Sequence, residues 1–91
     1  MRNKQTIKTQ TQKAQKVFDV RRMFNNDRTT QMALTLKFNS IVKDTLELVW
    51  IGANTKETEI GEEAKELAEN CNDFIGAMRG YGFLRKLTET L

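Results

Sequence analysis

The sequence has no histidine. It therefore lacks the one side chain whose ordinary charge change falls near neutral pH, and with it the commonest acid/base catalyst and the imidazole metal ligand. No glycine-rich phosphate loop, paired-cysteine spacing or nucleophile-elbow motif occurs either. These absences argue against an enzyme and leave no candidate catalytic residue, metal site or cofactor site. Cys71 is the only cysteine, so no intramolecular disulfide is possible, and its place on an apolar stripe marks a buried thiol in a reducing compartment. No apolar run approaches membrane-spanning length, and Met1 to Gln12 is polar and basic, without the apolar core of a secretory signal. The expectation is a cytoplasmic protein with no membrane partner.

What is present is one small domain of 91 residues, 38% hydrophobic and 30% charged. A chain this short buries only about two thirds of the surface it exposes when unfolded, so self-association is a common route to further burial and a homo-oligomer is expected. The net charge of +3 hides a division. Residues 1–28 carry eight basic side chains against Asp19 and Asp27, a net of +6, while the remaining 63 residues carry seven basic and ten acidic ones, a net of −3. The N-terminal third can seek an acidic partner that the rest would repel.

The clearest periodic signal is Ile60, Ala64, Leu67, Cys71, Phe74 and Met78, spaced by alternating fours and threes. That is one stripe of an α-helix, with Glu62, Glu66, Glu69 and Asp73 on the opposite side as a solvated acidic face rather than a metal site. Upstream, residues 1–12 are rich in Thr, Gln, Lys and Asn with Ile7 as the one apolar residue after the start, which reads as a flexible basic arm. Val17, Val20 and Phe24 then predict a short helix over about 13–25, ended by Asn25, Asn26 and Asp27.

Residues 31–52 admit two readings. Met32, Leu34, Leu36 and Phe38 alternate like a strand, as do Leu46, Leu48 and Trp50, which would give an α+β fold of helix, β-hairpin and long helix. Parity excludes a two-residue turn for that hairpin, and a five-residue turn would leave Ile41 and Val42 in solvent. The helical reading places Leu34, Phe38, Ile41, Thr45, Leu48 and Gly52 on one face, uses Ile41 and Val42, and fits the lack of glycine or proline before Gly52. It is preferred. Gly52 then stops a helix over 31–52, Asn54 caps the next with Glu57 as its capping-box partner, and that helix runs over about 57–79 until Arg79 and Gly80 end it. The expected fold is all-α: a basic arm and short helix, followed by an antiparallel helical hairpin within a single domain over 13–91.

Two features bear on function. Lys8, Lys13, Lys16, Arg21, Arg22 and Arg28 are candidate contacts to the phosphates of a nucleic acid or to another acidic macromolecule, the adjacent arginines above all because guanidinium offers a rigid fork. Met32, Leu36 and Trp50 lie off the main stripe of the middle helix and, with Tyr81 and Phe83, are candidates for a protein interface. Arg79-Gly80-Tyr81-Gly82-Phe83-Leu84-Arg85-Lys86 resembles, at its opening positions, the aromatic octapeptide with which RNA-recognition-motif domains stack bases. Lys86 stands where that motif ends in an aromatic, and in that family the motif lies on a central strand. The expectation is therefore that Tyr81 and Phe83 fold back over the helical core, forming a stacking or interface patch only if exposed. The leading expectation is a non-catalytic nucleic-acid-binding protein. The alternative is a small protein-binding regulator or inhibitor of the kind mobile elements encode, or an oligomer that traps an anionic ligand.

Overall fold

The computed structural model describes residues 4–53 and 58–90. They form four helices, α1 (Lys4–Met23), α2 (Arg28–Ala53), α3 (Glu59–Glu69) and α4 (Phe74–Thr90), with no strand among the described residues. The helical reading of 31–52 holds, and the β-hairpin alternative does not.

The central helix, α2, packs against each of the other three. Its buried face is Phe38, Asn39, Val42, Thr45, Leu46, Val49 and Ala53, a set that mixes residues from both sequence patterns. The β-branched threonines that spoke for a strand are accommodated by back-bonding: the Thr45 hydroxyl donates to the Ile41 carbonyl at 2.7 Å and that of Thr35 to Gln31 at 2.9 Å. Asp27 starts the helix, its carboxylate accepting from the Thr30 amide at 3.1 Å and the Thr30 hydroxyl at 2.6 Å. These bonds hold the Asp27 carboxyl below its ordinary value.

From Lys4 onward, the stretch expected as an arm is instead the first part of α1, which is continuous to Met23. Ile7, Thr11 and Ala14 are its buried residues, Ile7 being only 3% exposed. One isoleucine, one threonine and one alanine are a weak apolar signal in sequence. The neighbouring helices supply the burial, and the Ile7 carbonyl accepts the Thr11 hydroxyl at 2.8 Å.

The helix expected over 57–79 is two helices. Asn70 caps the end of α3, and Asp73 opens α4 by accepting from the Gly76 amide at 2.6 Å. The apolar stripe runs through this break because Cys71 and Phe74 still face the core on either side of it. The turn is tight enough that a Cβ on Gly76 would collide with the Asn70 carbonyl. The expected stop at Arg79 and Gly80 is absent, and α4 continues to Thr90. Gly80 is a close-approach residue, where a Cβ would lie 2.6 Å from Leu46 Cδ1 and 3.0 Å from Val42 Cγ1. The proposed cap pair Asn54 and Glu57 lies outside the described residues; Thr58 caps α3, its hydroxyl accepting from the Gly61 amide at 3.3 Å.

Helices α2 and α3 make the expected antiparallel hairpin, with Gly61 against Ala53 and Lys65 beside Trp50. Phe18 meets Phe38 at 5.8 Å between ring centroids, Phe74 lies 5.8 Å from Phe38 and 6.3 Å from Phe18, and Tyr81 stands edge-on to Phe38 at 5.5 Å. These four rings tie α1, α2 and α4 together, with α4 antiparallel to α1. Phe38, ten residues into α2, is its first buried residue, so the end of the α1–α2 pair around residues 20–36 projects past the core of a molecule 46 × 23 × 15 Å.

Candidate binding surfaces

Helix α1 carries Lys4, Lys8, Lys13, Lys16, Arg21 and Arg22 against a single carboxylate, Asp19, which accepts from Gln15 at 2.7 Å. Twenty residues span about 30 Å. Lys8, Lys13 and Lys16 are all exposed. At 100° per residue Lys8 and Lys13 stand about 140° apart on the two flanks of the outward face. Lys16 lies between them, with the exposed polar residues Thr9 and Gln12.

The arginines divide. Arg21, expected as a phosphate contact, is taken up by the fold: its Nε donates to the Thr35 hydroxyl at 2.6 Å and its guanidinium lies 4.2 Å from the centre of the Phe74 ring. It clamps α1, α2 and α4 where the aromatic cluster opens to solvent, using the planar group that made it a candidate ligand. Arg22 is exposed, with its guanidinium 5.8 Å from the Phe18 ring centre, and Arg28 is the exposed first residue of α2.

The apolar candidates do not form one surface. Met32 and Leu36, each 68% exposed, lie one turn apart on α2. Trp50 is fourteen residues further on, about 21 Å along the helix. It is half-buried and lines a cleft of about 310 Å³ between α2 and α3, together with Lys43, Glu47, Ile51 and Lys65. The Lys65 ammonium is 5.4 Å from the Trp50 ring centre. Tyr81 is 5% exposed and its hydroxyl donates to the Gln15 side-chain oxygen, so it is a core residue whose ionisation burial pushes up. Phe83 is half-buried and packs against the core. The octapeptide is thus helical, with its rings turned inward or against the body, and presents no stacking platform.

Several apolar residues that the sequence does not mark as exposed lie in solvent, among them Ile60, Ile75 and a group at the end of α1. Val20, Met23 and Phe24, on the last turn of α1 and just beyond it, are 41%, 78% and 38% exposed and sit at the same end as Met32 and Leu36. Their i, i+3, i+4 spacing looks like a buried stripe, and only the projection of the hairpin end past the core leaves them in solvent.

Glu59, Glu62, Glu63, Glu66 and Glu69 crowd α3 with Lys65 as the one cation among them, and no ion pair joins them to a described lysine or arginine. Glu59 and Glu62 are favoured by the helix dipole, whereas the later like-charged pairs three and four residues apart repel. No group of three carboxylates or thiols is placed to hold a metal among the described residues. Cys71 is buried, its thiol donating to the Leu67 carbonyl at 3.1 Å, and burial raises its pKa. None of the helices among the described residues is long and apolar enough to cross a membrane. No protein-family model, curated protein or solved structure matches the chain.

Proposed function

We propose that this is a non-catalytic binding protein whose helix α1 engages the phosphates of a nucleic acid. The observation that carries the reading is the outward face of α1. It is a stiff rod with Lys8 and Lys13 on its flanks, Lys16 between them and almost no negative charge to offset them. A helix lying along a groove meets phosphates on both walls, and lysines on two flanks suit that geometry better than a single row. The acidic α3 would face away from the polyanion. Arg21 is excluded from the contact set because the fold uses it, which leaves Lys8, Lys13, Lys16 and Arg22 on α1 and the exposed Arg28 at the start of α2.

The test is fluorescence anisotropy of labelled duplex DNA and duplex RNA with the full chain and with a K8Q/K13Q/K16Q variant. All three side chains are exposed, so the variant keeps its fold, and affinity should drop at least tenfold for each nucleic acid the parent binds. Equal affinity for parent and variant would refute the assignment.

A second reading, a protein-binding regulator or inhibitor, rests on the cleft at Trp50. Its mixed apolar and charged lining suits a peptide side chain better than a phosphate. Because Trp50 also packs on the core, the exposed Ile51 is the better probe, and I51E should abolish capture of a protein partner without changing the helical spectrum.

A further inference from the structure

The fold uses some of the uncharged polar side chains of α1 and leaves others unused. The Gln15 amide donates to Asp19 and its oxygen accepts from Tyr81, while the Thr11 hydroxyl is taken by the Ile7 carbonyl. Thr9 and Gln12 are exposed and have no hydrogen-bond partner among the described residues. At 100° per residue Gln12 stands about 40° inside Lys8 and Thr9 about 40° inside Lys13, so both fall between the lysine-bearing flanks, about 4.5 Å apart along the axis. The exposed Asp19, close to the Lys8 flank, closes the stretch at its C-terminal end.

We infer that this face reads the major groove of duplex DNA, with Gln12 and Thr9 against base edges and Lys8, Lys13 and Lys16 on the phosphates; the inference rests on the phosphate reading of α1 proposed above. A helix about 10–12 Å across fits a groove about 12 Å wide, whereas the major groove of A-form RNA is too deep and narrow for it. Phosphate contacts position a protein without reading sequence, so any preference must come from the side chains between them. A glutamine amide sets a donor beside an acceptor, which matches the N7 and N6 amino group of adenine, whereas guanine presents two acceptors there. Thr9 adds a methyl group suited to the C5-methyl of thymine. Their axial separation of about 4.5 Å, against about 3.4 Å per base pair, lets them meet neighbouring base pairs.

The experiment uses the full chain and Q12A, a substitution at an exposed position by a strong helix former, which keeps the fold. Each protein is first taken through selection on duplex DNA with a randomised centre. Anisotropy then follows on the duplex the parent enriches, on the same duplex with 7-deaza-adenine at the preferred adenine, and on its RNA counterpart. The parent should enrich adenine at one position, lose at least about fivefold in affinity on the 7-deaza duplex, which lacks the major-groove N7, and bind the RNA duplex more weakly. Q12A should enrich no adenine there, bind the two DNA duplexes alike and keep the parent's salt slope, because the lysines are intact. A parent that binds DNA with a salt slope but enriches no sequence, is indifferent to 7-deaza-adenine or prefers the RNA duplex, or a Q12A that selects the parent's sequence, would overturn the inference and leave the phosphate reading standing. A parent that binds no duplex at about 50 mM salt would overturn both.

Discussion

Replacing each glycine of α4 by alanine separates the packing of that helix from its backbone propensity. Gly82 has nothing within 4 Å of the position a Cβ would take, so G82A adds only helix propensity and should stabilise the fold by about 0.5–1 kcal/mol. At Gly80 the added carbon would lie 2.6 Å from Leu46 Cδ1 and 3.0 Å from Val42 Cγ1, and both of those residues are fully buried. Overpacking of this kind costs about 1–3 kcal/mol, which exceeds the propensity gain, so G80A should be destabilising by roughly 0.5–2 kcal/mol. At Gly76 the obstruction is the Asn70 carbonyl, a backbone atom that no rotamer change can move aside, and G76A should be the worst of the three. For a domain of this size 1 kcal/mol shifts the melting temperature by about 4–8 °C, so thermal unfolding followed by circular dichroism resolves the series. The expected order is G82A above the parent, then G80A, then G76A. A G82A variant that melts below the parent would show that position 82 is not an open position within a helix. An unchanged G76A would show that the α3–α4 turn does not lie against Gly76.

Further outcomes follow from the caps and the thiol. The Asp27 carboxyl is depressed in the folded chain by its bonds to Thr30, so its contribution is present above the ordinary carboxylate value and disappears as pH falls through the depressed one. D27N should accordingly melt lower than the parent at pH 7, with the difference shrinking in acid, as read from melting curves at several pH values. Cys71 should react with a thiol reagent at least a hundredfold more slowly in the folded chain than in denaturant, because it is buried and its thiol is held protonated. Equal rates in the two states would contradict its place in the core.

What could be read from the sequence was governed by how large the buried side chains are. Helix α2 was recoverable because Phe38, Ile41, Val42 and Leu48 leave a strand pairing no consistent face, even though Thr35, Thr45 and Val49 favour strands. The start of α1 was hidden because its contact face is Ile7, Thr11 and Ala14, whose burial depends on the neighbouring helices rather than on local hydrophobicity. The break between α3 and α4 was masked for the opposite reason. Ile60 to Met78 keeps a helical rhythm through four residues that are not helical, and Asp73 reads as one more carboxylate of the wet face until its bond to the Gly76 amide shows it to be a cap.

The surfaces were legible residue by residue but not in their grouping. Met32 and Leu36 are exposed as their off-stripe positions implied, and Tyr81 is turned inward, as expected of a ring that folds back over the core, where Gly80 lets α4 approach α2 closely. Arg21 was singled out for its fork, and the fork is used, on Thr35 and the Phe74 ring within the chain. The sequence carries no sign of that engagement, since the three residues meet only through the packing of α1, α2 and α4.

The central claim is that Lys8, Lys13 and Lys16 neutralise phosphates, and the salt dependence of nucleic-acid affinity measures it most directly. Each phosphate contact on duplex DNA contributes a slope of about −0.9 in log affinity against log salt, so three contacts predict about −2.7, or roughly a 40-fold loss between about 50 and 200 mM salt. In K8Q/K13Q/K16Q most of that slope should vanish. Affinity that is undetectable at about 50 mM salt, or a slope identical in parent and variant, would contradict the account.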